Sequence, residues 1–240
     1  MMNFKAYNNV TKIVIPNNVQ LSYNSFYNQF SWMKKLQSVS LPNSVNSLGH
    51  TFENCLSLNM SPWCGENVTN MAYTYCNCYN LTGSPVCGNN VTDMTSTYYN
   101  CCNLTGSPVC SNNVIDMSEA YRNCYNLTGS PVCGNNVTNM YGAYYGCSNL
   151  TSNGYFYSNN ISNMESCFGN RNTSTYLNLY LPSNSTSLTT ALINNTFSLV
   201  GMEITWTDDT ATNNCYYNTQ YNIYIYPVEN VAAARAANEG

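Results

Sequence analysis

Apolar positions recur along this chain at one constant long interval, not at the spacing of three to four residues that marks a helix face. Met71, Met94, Met117 and Met140 stand 23 residues apart, as do Leu81, Leu104, Leu127 and Leu150. Four residues after the first set comes a second column: Phe52, Tyr75, Tyr98, Tyr121, Tyr144, Phe168 and Leu192. The polar residues between them repeat too, because the run from Asn80 to Met94 returns almost unchanged from Asn103 and again from Asn126. A fixed period of this size marks a repeat solenoid, in which each unit is one coil that buries its apolar side only against its neighbours.

Within the coil, Lys12 to Pro16, Ser38 to Pro42 and Asn178 to Pro182 alternate apolar and polar residues with period two, as a half-buried strand does. Counting back from the Met column places Ile15, Leu41, Cys64, Cys87, Cys110, Cys133, Tyr157 and Leu181 inward, with Ile13, Val39, the prolines 62, 85, 108 and 131, Tyr155 and Leu179 two residues earlier. Proline lacks an N–H, so the middle units are expected to hold strands of only two or three residues. The same register turns Val14, Ser40, Trp63, Val86, Val109, Val132, Phe156 and Tyr180 outward, an apolar and aromatic stripe on the exposed face of the sheet. On the opposite side, an Asx residue followed by apolar positions at i and i+4, as in Asn70, Met71 and Tyr75, predicts a capped turn of helix or 3-10 helix. The first unit is expected to carry an insertion around Tyr27 to Lys35.

From about Leu199 the period stops. Met202 to Thr207 and Tyr221 to Tyr226 alternate, with Asp208 to Asn218 between them, which predicts a β-hairpin or an extra strand pair closing the open end of the stack, with Asp208-Asp209 as a turn signal. The expected organisation is therefore a solenoid of about eight units over residues 1–198, a β cap over 199–228 and an Ala-rich tail over 229–240 that forms a short helix or stays disordered.

Charge removes several function classes. Only 8% of residues are charged, Lys and Arg total 7 and the net charge is −4, so no basic surface exists to neutralise a nucleic-acid backbone. No apolar run reaches the length of a membrane span. Residues Met1 to Asn9 lack the basic start and apolar core of a secretory signal, which points to a trimmed form or to a route that bypasses secretion, as for a virion component. The 13 cysteines form two columns, Cys55 to Cys147 and Cys64 to Cys133 in steps of 23, with four others off them. Stacked side chains with parallel Cβ vectors are poorly aimed for disulfides, so these are expected to be buried free thiols. An Asn column, Asn18, Asn67, Asn90, Asn113, Asn136, Asn160 and Asn184, is expected to bond to neighbouring coils and turn backbone.

The run Asn67-Val68-Thr69-Asn70-Met71, with Tyr75 four on and then Asn77-Cys78 and Asn80-Leu81, resembles the repeat of BspA-like leucine-rich-repeat surface proteins. The match runs from about Ile13 to Ser198. That resemblance implies a right-handed solenoid with a short parallel sheet on one face and turns on the other. It also implies an exposed adhesion or binding role on microbial, protist or viral particles, and it transfers no catalytic residue. Gly-Ser-Pro-Val-Cys stands where the family has a more aliphatic strand.

Catalytic chemistry finds little to work with. His50 is the single histidine, which excludes Ser-His-Asp and Cys-His-Asn arrangements and paired-imidazole metal sites, and it reads as a surface or capping residue. Asp93 and Asp116 occupy a cap column shared with Asn70, Asn139 and Asn163. No cofactor or metal is expected. The candidate ligand-binding residues are Trp63, Val86, Val109, Val132, Phe156 and Tyr180, because a contiguous exposed apolar stripe marks a partner site. Residues that change between otherwise identical units, 72 to 74, 95 to 97, 118 to 120 and 141 to 143, offer a second surface on the turn side. The expected function is a non-enzymatic binding or adhesion module, displayed on a virus particle or microbial surface, that recognises a host or cell-surface protein or a glycan. The alternative is a structural protein that self-associates through its solenoid ends or sheet edge.

Overall fold

The computed structural model describes residues 9–19, 21, 24–151, 153–170, 174, 176–185, 207–209, 215–218 and 222–239. Met71, Met94, Met117, Met140 and Met164 are all buried in one continuous core, with Leu81, Leu104 and Leu127 beside them. The coils therefore stack as the period demands, in a solenoid-like array. Leu188 and Leu192, assigned to the last unit, lie outside the described residues, as do Met202 to Trp206.

The turn side contains no helix. In each unit two successive turns close, one by Thr74 N–H to the Met71 carbonyl (3.0 Å) and one by Cys78 N–H to the Tyr75 carbonyl (3.0 Å). Their third residues, Tyr73 (φ 55°) and Asn77 (φ 61°), adopt the left-handed conformation that a type II turn requires. Two such turns in series bring every fourth side chain inward, so the i, i+4 spacing that suggested a helix arises without one. The remaining N–H groups point to the next coil: Met71 to Asp93, Tyr73 to Thr95, Tyr75 to Thr97 and Asn77 to Tyr99, at 2.8–2.9 Å. The Asx residues do cap, but they cap turns. Asn70 Oδ1 accepts from Ala72 N–H (3.0 Å), and Asp93, Asp116, Asn139 and Asn163 accept from the residue two positions on in the same way.

The core aromatics form one stack. Phe30, Phe52, Tyr75, Tyr98, Tyr121, Tyr144 and Phe168 follow one another with ring centroids 5.4–5.8 Å apart. Each tyrosine hydroxyl reaches across its own coil to one wall residue. Tyr75 accepts from Trp63 N–H and donates to the Trp63 carbonyl (2.8 Å each), and Tyr98, Tyr121 and Tyr144 do the same at Val86, Val109 and Val132. This explains a departure from the sequence expectation: residues 61–64, 84–87 and 107–110 form no strand at all. Proline breaks the pairing pattern, and the hydroxyl satisfies the backbone donor and acceptor that a neighbouring strand would otherwise have met.

Among the described residues, strands occur only towards the two ends. β1 (Lys12–Val14) pairs in parallel with β2 (Ser38–Ser40). A second, six-stranded sheet has the order β3-β4-β5-β8-β7-β6, built from β3 (Val132–Cys133), β4 (Asn153–Phe156), β5 (Leu177–Pro182), β6 (Thr207–Asp209), β7 (Cys215–Asn218) and β8 (Ile223–Val228). At this end, where a hairpin or extra strand pair is expected, the described residues place three further strands. β8 extends the parallel sheet by pairing with β5, and its antiparallel partner is β7, which the sequence reading had placed in a loop. Asp208 and Asp209 belong to β6, where they pair with Tyr216 and Cys215. The tail forms α1 (Val231–Glu239), capped by Asn230 Oδ1 on Ala233 N–H (3.0 Å) and rich in alanine, the best helix former.

Two registers also need correction. β1 and β2 pair residues 26 apart, while the next contact, Ser25 with Ser47, joins residues 22 apart. The extra residues of the first unit thus precede Ser25, and Phe26 to Leu36 runs in step with its neighbour. Near the other end Val132 pairs with Tyr155 and Cys133 with Phe156, both 23 apart, whereas Asn139 meets Asn163 at 24. The added residue of that unit falls after Phe156, in the bend where Ser158 Oγ donates to the Val137 carbonyl (2.6 Å).

All 13 cysteines are free. The thiols of Cys55, Cys78, Cys101, Cys124 and Cys147 each donate to a carbonyl of the preceding coil at 2.9–3.1 Å. Burial pushes the thiol pKa of Cys55, Cys133 and Cys147 up to about 12.

Candidate functional site

The outward stripe divides into an open part and a covered part. Trp63 is half-buried, with its ring folded back over Gly65, where an added Cβ would lie 2.8 Å from the indole. Val86 and Val109 are half-buried and outside the core. Val132 is buried. Phe156, expected outward, faces the core and stacks on Phe168 (6.1 Å), a consequence of the one-residue register difference. Tyr155 takes its outward place in a row with Tyr180 and Tyr226, with centroids 5.4 and 5.2 Å apart. Tyr180 is half-buried there.

The cover is α1. After β8 the chain turns back and lays this helix against β4 and β5. Arg235 sits over the Tyr155 ring (5.5 Å) and its Nε donates to Glu239 Oε2 (2.8 Å). Ser130 Oγ in turn donates to Glu239 Oε1 (2.8 Å). The hydrogen bonds to Glu239 and to Tyr157 hold the Arg235 pKa above its usual value.

The turn face carries a different chemistry. Tyr27, His50 and Tyr73 form one row, Tyr27 meeting His50 edge to face (5.3 Å) and His50 stacking on Tyr73 (4.6 Å), and His50 Nδ1 is 2.7 Å from Glu53 Oε2. A parallel row holds Tyr99, Arg122 and Tyr145: the guanidinium lies 5.9 and 4.3 Å from the two rings and donates to Glu119 (2.9 Å). Exposed large side chains gather on this side too, among them Tyr27 (55%), Trp32 (53%), Tyr79, Tyr125 and Tyr141. Of the varied triplets, the third members Thr74, Thr97, Ala120 and Ala143 are buried; at the left-handed turn position Ser96 and Gly142 are buried too and Tyr73 and Glu119 half-buried, while the first members Ala72, Thr95 and Ser118 are half-buried and Tyr141 is exposed. The sequence reading missed the row through Tyr99, Arg122 and Tyr145. Its signal was present, because that position reads Cys76, Tyr99, Arg122 and Tyr145 in units that are otherwise nearly identical.

The BspA type leucine rich repeat region matches residues 2–128 in 6 copies. The chain belongs to the BspA-type leucine-rich repeat family. Residues 87–178 also match a family described as a Mycoplasma protein of unknown function, DUF285. No curated protein and no solved structure matches the chain. BspA-type repeat proteins are typically associated with surfaces and adhesion, and as repeat proteins they are generally non-enzymatic. Among the described residues no three His, Cys, Asp or Glu side chains are grouped to hold a metal ion, and no helix is long and apolar enough to cross a membrane.

Proposed function

We propose that this BspA-type chain is a non-enzymatic binding module displayed on a microbial or viral surface, and that it recognises a protein or glycan through its turn face. One observation carries the reading. Several exposed residues of the bends stay the same from unit to unit, as with Thr82, Thr105 and Thr128 or Asn89, Asn112 and Asn135. Half-buried and exposed residues of the turn face change, as with Ala72, Thr95, Ser118 and Tyr141, or Tyr99, Arg122 and Tyr145. Exposure alone therefore does not account for the variation. Individual coils thus differ in what they present on the turn face, and that side displays tyrosine amid small polar groups, the chemistry of adaptable recognition surfaces.

A second reading keeps the open wall, Trp63, Val86 and Val109 continuing to Tyr180, as the contact surface, favoured by their partial exposure outside α1. One experiment separates the two. The purified chain, coupled to fluorescent beads, is tested for attachment to cell surfaces and a glycan array. Replacing Tyr73, Tyr99 and Tyr145 with Ala should abolish attachment, while Trp63, Val86 and Val109 changed to Ser should leave it intact. The reverse result selects the wall, and attachment that survives both sets removes the binding role from either surface.

A further inference from the structure

By lying across the sheet, α1 creates two clefts, and Tyr157 borders both. On one side a cleft of about 340 Å³ is lined by Ser107, Val109, Val132 and Arg235 among others. Arg235 in it is already engaged by Glu239. On the other side, at the start of the helix, a cleft of about 380 Å³ is lined by Asn135, Asn159, Asn184, Asn230, Glu229 and Tyr157, with Pro182, Val231 and Ala232 completing the wall. This second cleft is the more unusual, since its polar lining is nearly all side-chain amide.

The amides are unequally employed. Asn230 caps the helix through its Oδ1. The side chains of Asn135, Asn159 and Asn184 make no hydrogen bond within the described residues, although the equivalent bend amide of the preceding coil, Asn112, accepts from Asn135 N–H (3.4 Å). Each free amide offers two donors and one acceptor. Glu229 adds a pure acceptor, and the phenol of Tyr157 adds an aromatic face whose negative quadrupole attracts polarised C–H groups. Paired donors and acceptors around an aromatic plate match the vicinal hydroxyls and the apolar C–H face of a pyranose. Among the described residues no cation lines this cleft and one carboxylate does, which disfavours phosphate, sulfate and carboxylated sugars. The volume lies at the small end of the roughly 300–1,000 Å³ of ligand pockets, suited to a terminal sugar and too small for a folded segment.

We infer that the cleft between the start of α1 and the bend residues Asn135, Asn159 and Asn184 is a binding site for a neutral sugar. The site exists because α1 folds back, since Val231 and Ala232 supply one wall. It is separate from the turn face and does not depend on the recognition role assigned there.

The test is an NMR titration of the full chain with galactose, mannose and N-acetylglucosamine, with N-acetylneuraminic acid as the charged comparison. Saturable binding of at least one neutral sugar is expected. Asn159→Ala combined with Asn184→Ala should weaken it by about tenfold or more, the scale of one or two lost hydrogen bonds. Asn89→Ala, an exposed amide of the same row outside the cleft, and the turn-face variant with Tyr73, Tyr99 and Tyr145 changed to Ala should both bind like the parent. Both surface asparagine changes leave the core untouched, so a loss cannot be ascribed to unfolding once circular dichroism is unchanged. Absence of saturable binding by every neutral sugar, preference for the acidic sugar, undiminished binding by the double variant, or loss in either control would each overturn the assignment.

Discussion

The middle coils and the end coils solve the same problem with different chemistry. Where the wall is a paired strand, as in β1, β2 and β4, the core aromatic of that coil is Phe30, Phe52 or Phe168. Where the wall carries Pro62, Pro85 or Pro108 and no strand forms, the aromatic is Tyr75, Tyr98 or Tyr121, and its hydroxyl occupies the backbone N–H and C=O left without a partner. Tyr144 stands at the boundary, bonded to Val132 at the start of β3. Thiols follow the same division. The column of Cys64, Cys87 and Cys110 runs through the strandless coils and ends at Cys133 in β3, while Ile15, Leu41, Phe156 and Leu181 take the corresponding places at the ends. A buried hydroxyl can thus substitute for a neighbouring strand, provided the whole stack keeps it in register.

Alkali should have the largest effect, acting through thiols of the coils that flank the strandless ones, Cys55 in the coil of β2 and Cys133 and Cys147 in that of β3. The folded chain holds Cys55, Cys133 and Cys147 protonated up to about pH 12, whereas the ordinary thiol value is 9.0. Above about pH 9 the unfolded chain releases these protons and the folded chain does not, so stability is fully present below that pH and falls as pH rises. Each such thiol removes about 1.4 kcal/mol per pH unit, and three acting together remove about 4. Urea denaturation under reducing conditions at pH 7, 9 and 10 should show a flat region followed by this decline; constant stability through pH 10 would contradict the protected thiols.

Next in size, Tyr121→Ala should cost about 3–5 kcal/mol by opening a void in the aromatic stack. Tyr121→Phe isolates the hydroxyl and should cost about 1–3 kcal/mol, because it strands the Val109 N–H and C=O. Phe52→Tyr gives the sharper comparison: its wall segment is a paired strand, so the new hydroxyl is buried without that partner and should also destabilise. If Tyr→Phe proves neutral in the middle, the hydroxyl is not what replaces the strand.

The smallest effect concerns the amides that join coils on the turn side. Asn77, Asn100 and Asn123 each donate Nδ2 to the Oδ1 of the preceding asparagine at 2.8–2.9 Å, beginning at Asn54. All four have φ near +60°. Asn100→Ala loses two of these bonds and places a Cβ-bearing residue without a compensating amide in the left-handed region, which should cost about 1–2 kcal/mol. Asn100→Gly should cost less, since glycine tolerates that φ. Equal losses for both in thermal unfolding would mean that the amide chain, and not the backbone, carries the preference.

The columns of Met, Tyr and Leu were legible because burial against a neighbour allows no drift in a 23-residue period. The orientation of Phe156 was not, because counting back from Met164 assigns the extra residue to either side of the strand with equal ease. Helix and double turn were indistinguishable from apolar spacing, and only the recurrence of Asn77, Asn100, Asn123 and Gly146, residues that accept positive φ, separated them. Alanine-rich composition announced α1, but nothing in it said that the helix would lie over Tyr155 and remove Val132 from the surface. Of the candidate stripe, Trp63, Val86, Val109 and Tyr180 are half-buried, whereas Val132 and Phe156 are buried.

The hydrogen bonds between turn segments recur at the same offsets from one middle coil to the next, so the middle of this protein has no unique address. Excising residues 103–125 would join Cys102 to Asn126, a junction equivalent to the native ones. The number of middle coils can therefore change by gene duplication or loss without inventing a new contact, altering the reach of the molecule while both ends keep their own closures.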